Sequence, residues 1–493
     1  LTYVFGCSMH SCKISNLLIY LFCQSPSEEM FLWTLSDCKV HLLIVMLWDS
    51  LCTLGLKPTP WPLYPQKPLL LVWNAPTQEC GPWRQVFFQL DQFHIVATPN
   101  EGFVRQNLTM FYKDRLGLYP YLEQDDVAVN DGLPQVASLT KHLEKMEEGV
   151  RRYIPDADAR GLAVIDWEEW RPIWMRNWGP KHIYRNHSLV LVQQKNPTWP
   201  LEQVSRVAQQ EFEISAKKFM LETLRHAKHL RPNQLWGFYL FPDCYNHDYL
   251  RSMVSYTGRC PDVEVARNER LEWLWTESTA LFPSIYMGAV LRSTASGRQF
   301  VRNRVKEGMR LASSEVDFYS QFVHTHVTDP HLFQVDLVSS IGESAALGAA
   351  GIILWGDATY ARNKTTCSDL EAYVRGTLSP YLLNVSTAAE LCSQTLCSSH
   401  GRCLRKDPDS DVYLHLNPLT HSIQRQNGKL TVSGELGESD KLSLQTDFQC
   451  QCYSGFQGES CDQADSLRQR GLGSQARAST LPFVILLVVF LIL

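Results

Sequence analysis

Two acidic side chains that follow a short apolar run are the residues best suited to chemistry in this sequence. Asp166 and Glu168 come directly after the run Gly161–Ile165 and are flanked by Trp167 and Trp170. Residues at i and i+2 at the end of a strand point to the same side, so both carboxyls are expected to face one cleft. Repulsion and partial burial raise the pKa of one carboxyl in such a pair, which can then protonate a leaving group. The pattern indicates glycosidase chemistry; the alternative is a surface pair or a salt-bridge site.

Four other side chains are candidates for contacts with a substrate. Tyr239, Tyr286 and Trp355 each close a short apolar run, where a strand would end at the mouth of a cleft. Arg304 is a lone arginine in a helical stretch. The alternatives from the residues alone are two core tyrosines with satisfied hydroxyls, a buried tryptophan and a solvated arginine.

The elements around these residues alternate between apolar runs and longer amphipathic stretches from Lys57 to about Val385. Helices are predicted over Leu201–His229 and Asp336–Ala350. The pattern predicts an α/β fold, either a (β/α) barrel or a doubly wound sheet, and a barrel carries its working residues at the C-terminal ends of its strands. Buried strands are predicted at Leu69–Trp73, Phe93–Ala97, Gly161–Ile165, Leu235–Tyr239, Ser284–Tyr286 and Gly351–Trp355.

Composition excludes several classes of protein. The chain has 493 residues, 45% of them hydrophobic, and a formal net charge of −5. It is not the composition of a disordered or multi-span membrane protein, and the charge gives no case for a nucleic-acid partner. The glycine-rich stretch Gly342–Gly351 ends a helix and enters a strand, which is the reverse of a phosphate cradle. No cofactor and no metal are predicted.

The cysteines indicate a secreted, oxidised protein. Five of the 15 cysteines lie in the first 52 residues, and the even number that remains follows Lys57. There is no CxxC pair, so structural disulfides are favoured over zinc. Sequons for N-glycosylation agree with secretion, and they occur at Asn107, Asn186, Asn363 and Asn384.

The two ends resemble targeting segments. Met30 opens a possible signal peptide with an apolar region at Val40–Leu47; the alternatives are a genuine N-terminal extension or an uncleaved anchor. The apolar end Leu481–Leu493 is shorter than the about 20 residues that span a bilayer. Small residues between Gly471 and Ala478 precede it, which is typical of a GPI-attachment signal. The alternative is a tail that packs against the body of the protein.

Three long stretches carry a resemblance to a known family. The stretches Ala163–Pro172, Trp236–Asn246 and Ser340–Trp355 resemble the animal hyaluronidases, and the tail and the run Tyr245–Tyr249 resemble the GPI-anchored members. The resemblance implies a distorted (β/α) TIM-like barrel with a disulfide-rich, EGF-like C-terminal module. The domains expected are upstream sequence and signal peptide over 1–56, a catalytic barrel over 57–385, the EGF-like module over 386–462 and the GPI-attachment signal over 463–493.

The resemblance also assigns roles to residues. It implies that Glu168 is the general acid and that Asp166 steadies the N-acetyl group of the substrate, whose acetamido oxygen is the nucleophile. Tyr239 and Tyr286 match residues that contact the sugar, Arg304 matches a groove arginine, and Trp355 matches the floor under the reacting N-acetylglucosamine. The implied disulfides are Cys80–Cys367, Cys244–Cys260, Cys392–Cys403, Cys397–Cys450 and Cys452–Cys461.

One segment departs from the family pattern. The barrel strand expected after Leu311 is not recognisable in Ser313–Thr328, so either Gln321–Val327 forms a substitute or the sequence is misassembled there.

Three functions are compatible with this sequence. The first is an endo-hydrolase that cleaves β-1,4 bonds of hyaluronan at the cell surface or in acidic vesicles. The second is a surface hyaluronan-binding protein or receptor with little turnover, and the third is a hydrolase that prefers chondroitin sulfate. The Asp166 and Glu168 pair favours an enzyme.

Overall fold

The fold is taken from a computed structural model that describes residues 56–90, 105–314, 334–356 and 358–465, and the main chain of 320–326. The predicted signal peptide, the strand Phe93–Ala97 and the predicted attachment signal after residue 465 lie outside the described residues. Within them, no helix is long and apolar enough to cross a bilayer.

Within the described part of the chain, seven parallel strands form the frame of the catalytic part. Their spatial order is β2 (Leu108–Tyr112), β5 (Gly161–Asp166), β6 (Gln234–Phe238), β7 (Ala280–Leu281), β8 (Ser320–His326), β9 (Gly351–Trp355) and β1 (Leu70–Asn74). Strands β6 and β7 are joined by a single bridge between Tyr239 and Phe282. This series is the parallel, barrel-type arrangement that the sequence predicted. A small antiparallel pair, β3 (Tyr121–Leu122) and β4 (Ala128–Val129), lies in the connection between β2 and β5.

Helices cover the outside of these strands. The longest, Leu201–Leu230, confirms the predicted Leu201–His229, and its buried side chains recur every three or four residues. The helices are α1 (Cys80–Arg84), α2 (Leu139–Tyr153), α3 (His182–Lys195), α4 (Leu201–Leu230), α5 (Asp262–Glu269), α6 (Glu272–Glu277), α7 (Ala295–Ser314), α8 (Gln334–Leu337), α9 (Glu343–Ala346), α10 (Lys364–Tyr373), α11 (Ser379–Leu396) and α12 (Glu438–Asp447). Among the described residues, two π-helical segments, Val338–Gly342 and Val374–Leu378, and six short 3-10 turns, Gln124–Asp126, Trp174–Arg176, Gly179–Lys181, Asp248–Leu250, Ala289–Leu291 and Ala358–Ala361, complete them.

Alternation along each strand decides which side chains can reach a central cleft. In β5, Leu162 and Val164 belong to the cluster inside the barrel, whereas Ala163 and Ile165 pack outward against the helices. Asp166 is two residues from Val164 and four from Leu162, so the pleat of the strand points its side chain to the same face, at the mouth of the barrel.

Two of the predicted elements differ from the structure. Ser284–Tyr286 is not a strand, because Pro283 has no N–H for a ladder; the strand lies just before it at Ala280–Leu281. The predicted helix Asp336–Ala350 stops at Ala346, since Gly348 takes a left-handed conformation with φ of 90°. Strand β2, which sequence reasoning did not single out, pairs with β5 in register.

The segment that departs from the family pattern supplies a strand. Strand β8 runs from Ser320 to His326 and pairs in parallel with both β7 and β9. The alternative in which Gln321–Val327 forms a substitute strand is therefore confirmed, with a shift of one residue.

The C-terminal part is small, antiparallel and rich in disulfides. Strands β10 (Gly401–Arg405) and β13 (Phe448–Cys452) pair, and the long interval between Cys403 and Cys450 holds a hairpin and α12. The hairpin is β11 (His421–Gln426) and β12 (Lys429–Gly434), joined by Asn427 and Gly428 at positive φ, and the last short pair is β14 (Phe456–Gln457) and β15 (Gln463–Ala464). The five disulfides have the pairing implied by the resemblance, namely Cys80–Cys367, Cys244–Cys260, Cys392–Cys403, Cys397–Cys450 and Cys452–Cys461. Helix α11 continues without a break across the predicted boundary at residue 385.

Candidate active site

The two carboxyls line one cavity at the C-terminal mouth of the parallel strands. The cavity has a volume of about 430 Å³, and Asp166 and Glu168 lie on its wall together with Tyr239, Tyr286, Arg304 and Trp355. All six residues that the sequence and the resemblance nominated are therefore brought together. Asp166 ends β5, whereas Glu168 lies beyond the strand and its side chain is 48% exposed.

Asp166 is the carboxyl whose proton affinity is raised. Burial, and next the charge of Glu168, raise the pKa of Asp166 to about 7. Its Oδ1 is buried and has no hydrogen-bond partner among the described residues. Near pH 7 the Asp166 carboxyl is therefore protonated in about half of the molecules.

Glu168 is held through its main chain by two cations. Arg171 Nη1 donates to the carbonyl oxygen of Glu168 at 2.9 Å, and Lys181 Nζ donates to the same oxygen. Arg171 Nη2 lies 3.9 Å from a carboxylate oxygen of Glu168. The backbone is thus fixed while the carboxyl still faces the open side of the cavity.

The aromatic candidates form a continuous series along the cavity. Tyr239 is four residues after Leu235 of β6, and Trp355 is two residues after Ile353 of β9. Each therefore lies on the same face of its strand as that inward-facing residue, so both side chains point into the barrel. The rings of Tyr239 and Tyr286 are 6.4 Å apart, and those of Tyr286 and Trp355 are 6.0 Å apart. Burial is the main cause that raises the pKa of each tyrosine, so both hydroxyls stay protonated and can donate hydrogen bonds.

Arg304 reaches the cavity from α7 and is buried, unlike the solvated arginine that its sequence context alone allows. Its Nε donates to Asn246 Oδ1 at 2.9 Å, and its Nη1 donates to the Ser284 carbonyl at 3.0 Å. Asp243 Oδ1 lies 3.4 Å from Nη1 and offsets part of its charge. The guanidinium is therefore held rigidly at the cavity wall.

Sequence reasoning missed three polar residues of the wall, Asp243, His247 and Ser284. The charges of Arg304 and Arg176 lower the pKa of Asp243 although burial opposes them. Burial, and then the Arg304 charge, lower the pKa of His247, whose Nε2 lies 3.2 Å from Arg304 Nη2 and accepts its hydrogen bond. The available signal for Asp243 and His247 was the group of polar residues within Asp243–Asp248, a short distance after the end of β6 at Phe238.

The tryptophans that flank the carboxyls do not lie in the cavity. Trp167 stacks on Tyr119 at 4.4 Å, and Trp170 donates from Nε1 to the Pro120 carbonyl at 2.8 Å. Both rings are buried between the strands and the helices, because Trp167 has the outward parity of Ile165. Trp355 alone of these three is placed to meet a sugar.

The predicted glycosylation sites differ in access. Asn186 and Asn363 are exposed, and Asn363 also caps α10 by accepting from the Thr366 N–H. Asn107 and Asn384 are partly buried. Among the described residues, no three His, Cys, Asp or Glu side chains are grouped so that they could hold a metal ion.

The arrangement defines a class of protein. Two carboxyls in one cavity, one of them with a raised pKa, beside aromatic rings at the C-terminal mouth of a parallel barrel, are what a glycoside hydrolase needs.

Comparisons with known proteins agree with that class. The family described as hyaluronidase, glycoside hydrolase family 56, matches residues 58–465. The chain is 47% identical to hyaluronidase-2 of Rattus norvegicus over 447 residues, covering 89% of this chain and 93% of that protein. It is 47% identical to hyaluronidase-2 of Homo sapiens over 451 residues, covering 89% and 94%. Bee venom hyaluronidase, solved in complex with a hyaluronic acid tetramer, is similar with a TM-score of 0.58 and 29% identity, over 64% of this chain and 98% of that one. The chain belongs to the hyaluronidase family and is a glycoside hydrolase.

Proposed function

We propose that this protein hydrolyses the β-1,4 bonds of hyaluronan by a retaining, substrate-assisted mechanism with Glu168 as the general acid. The observation that carries the proposal is the position of Asp166 and Glu168 in one cavity with Tyr239, Tyr286 and Trp355. The family membership and the bound hyaluronic acid tetramer of the bee venom relative support the choice of substrate.

The mechanism uses the acetamido group of the substrate. The acetamido oxygen attacks the anomeric carbon, the bond from that carbon to the leaving oxygen breaks, and Glu168 transfers its proton to the leaving oxygen. Asp166 accepts a hydrogen bond from the acetamido N–H, whose nitrogen becomes positively charged. Water then attacks the anomeric carbon, gives its proton to Glu168 and restores the acetamido group.

Substrate binding supplies a reason for the proton to reside on Glu168. A sugar covering the cavity buries the half-exposed Glu168 carboxyl, and burial favours its protonated form. An acetamido N–H that donates to the unpartnered Oδ1 of Asp166 favours the ionised form of that residue. Both changes favour the arrangement in which Glu168 carries the proton that the leaving oxygen receives.

Replacement of Glu168 tests this function directly. In Glu168→Gln we expect hyaluronan degradation by the purified full chain at pH 4–7 to fall by a factor of about 10² or more, because no proton reaches the leaving group. Formation of reducing ends is the measurement. Glu169→Gln is the matched control, since Glu169 pairs with Lys113 at 2.7 Å and does not line the cavity.

The outcomes separate the other candidate functions. Equal degradation by wild type and Glu168→Gln would contradict the role of the acid. A wild type that retains hyaluronan without degrading it would be a binding protein, and faster degradation of chondroitin sulfate would make that polymer the substrate.

We also propose that the protein is held at the cell surface by a GPI anchor attached between Gly471 and Ala478. The support is the polar stretch with small residues before the apolar end Leu481–Leu493. Release from cells by a phosphatidylinositol-specific phospholipase is expected, and retention would contradict the anchor.

A further inference from the structure

A second cavity of about 200 Å³ opens beside the catalytic one. The two share the wall segment that contains Leu240 and Asp243. The second cavity, here called the side cavity, is bordered among others by Arg171, Trp178, Lys181 and Tyr245. None of these four residues lines the catalytic cavity.

The side cavity offers an aromatic surface. Trp178 borders the side cavity and is 49% exposed. Its ring meets the edge of Tyr245 at 5.3 Å with an interplanar angle of 87°, so the two rings form a fixed corner. The guanidinium of Arg176 stacks on the Tyr245 ring, with Cζ 4.7 Å from the ring centroid, and holds that ring in place. A half-exposed ring in a cleft suits the apolar face of a sugar.

The cavity also carries positive charge that the protein neutralises only in part. Lys181 has no carboxylate partner among the described residues; its Nζ donates to the Glu168 carbonyl. Burial, and then the charge of Arg171, lower the pKa of Lys181. Within the described ranges, Arg171 forms no closer contact with a carboxylate than the 3.9 Å between its Nη2 and an oxygen of Glu168. A ligand carboxylate would relieve this uncompensated charge.

The other two cations of the cavity are already paired. Arg176 and Arg267 both contact Glu264 at 2.5 Å. The anion-binding capacity of the side cavity is therefore confined to Lys181 and Arg171, next to the exposed Trp178.

The position relative to Glu168 indicates which part of a polymer reaches this cavity. Arg171 and Lys181 both bind the Glu168 main chain, whereas Trp355 and Tyr286 line only the catalytic cavity. The acid stands between the reacting sugar and the leaving group. A chain that passes Glu168 in the direction away from Trp355 enters the side cavity.

We propose that the side cavity is a binding subsite for an acidic sugar of the leaving-group side of the polymer, with Trp178 stacking on the sugar and Lys181 and Arg171 binding its carboxylate. The assignment rests on the proposed hydrolysis of hyaluronan. It extends that function by naming residues that recognise the part of the substrate that departs.

Kinetics on long and short substrates test the subsite in the full chain. In Trp178→Ala we expect KM for polymeric hyaluronan to rise roughly tenfold, the size of effect that loss of an aromatic anchor gives. The ratio of KM for a short oligosaccharide to KM for the polymer should fall by the same factor. Trp83→Ala is the matched control, because Trp83 is 75% exposed and lines neither cavity. Equal KM values for Trp178→Ala and wild type would overturn the proposal.

The charge contribution has its own readout. Lys181→Gln should raise KM and reduce the dependence of KM on salt, and Lys181→Arg should restore both. With hyaluronan oligosaccharides whose carboxyls are methyl-esterified, the rise in KM caused by Lys181→Gln should be smaller than with the free carboxylates. An equal rise in KM with the charged and the neutral substrate would overturn the role of Lys181 in binding the carboxylate, because Lys181 would then act through the Glu168 main chain.

The cleavage pattern tests the leaving-group side. With oligosaccharides labelled at the reducing end, Trp178→Ala should release shorter labelled fragments, because the label leaves with the departing part. An unchanged fragment pattern would overturn the placement of the subsite.

Equilibrium binding separates failure of the subsite from failure of the proposed function. On the Glu168→Gln background, addition of Trp178→Ala should weaken binding of a hyaluronan oligosaccharide roughly tenfold. Equal affinities would refute the subsite even if the enzyme is active. Absence of turnover in wild type would refute the proposed function while this binding comparison still reports on the subsite.

Discussion

At the scale of single residues, Asp166 is a carboxyl whose ionised form is disfavoured by its surroundings in the cavity. Its carboxyl is buried, its Oδ1 has no hydrogen-bond partner among the described residues, and the charge of Glu168 is nearby. A buried ionised carboxylate without hydrogen bonds destabilises a fold. The protein therefore gives up some stability to keep Asp166 in the cavity, and a substrate group that donates a hydrogen bond to its Oδ1 is expected to reduce this cost.

Asp166→Asn tests this cost through its pH dependence. The folded-state pKa of about 7 lies above the unfolded value of 3.8, so wild type loses stability as the pH rises from about 4 to about 7. Asparagine removes that loss. Thermal unfolding should show no gain for the variant at pH 4 and a gain on the order of 1–3 kcal/mol at pH 7.5, while hyaluronan hydrolysis falls sharply. Asp262→Asn is the control, because that side chain is 86% exposed and should show no such trend. A gain that does not depend on pH would contradict the argument.

At the scale of elements, strand parity explains which features of the site could be predicted from sequence. Apolar runs ending in Asp166, Tyr239 and Trp355 could be recognised because period-2 alternation and the end of each run are local properties. Tyr286 was attached to the wrong element, since Pro283 ends the ladder before it. Strand β8 could not be identified with confidence from its polar sequence, because its pairing with β7 and β9 is a property of the assembled sheet.

The contact between β6 and β7 yields a prediction at the same scale. A Cβ added to Gly237 would lie 2.1 Å from the Ala280 carbonyl oxygen, so the two strands could not keep their approach. We expect Gly237→Ala to lower stability by about 1–3 kcal/mol, as overpacking in cores does. It should also lower activity, because Tyr239 follows two residues later. Gly376→Ala, where no atom lies within 4 Å of the added Cβ, should leave the melting temperature unchanged or higher. Equal melting temperatures for the two variants would contradict this contact.

At the scale of the whole molecule, a buried ion network joins the barrel helices to the disulfide-rich part. Glu343 is fully buried and contacts two arginines, with Arg302 Nε at 2.7 Å and Arg405 Nη2 at 2.5 Å. Arg302 also donates to the Asp409 and Ser410 carbonyls. These partners are far apart in sequence, and each looks like an ordinary surface charge in its local pattern, so the network was not predicted. Together with the unbroken helix α11, it makes the C-terminal part an integral support of the barrel.

Neutralisation of Glu343 tests whether the two parts are stabilised together. Glu343→Gln keeps the size of the side chain but leaves two buried guanidinium groups without their shared counter-charge, which should cost about 3–5 kcal/mol. Thermal unfolding of the full chain should shift to lower temperature in one step, with the barrel and the C-terminal part losing structure together. Limited proteolysis should then cut at residues 408–412, whose carbonyls the two arginines hold. Glu438→Gln is the control, because the Glu438 side chain is 90% exposed and its ion pair with Lys441 is expected to contribute less than about 1 kcal/mol. An early, separate transition of the C-terminal part with an unshifted barrel transition would contradict the idea that the network couples them.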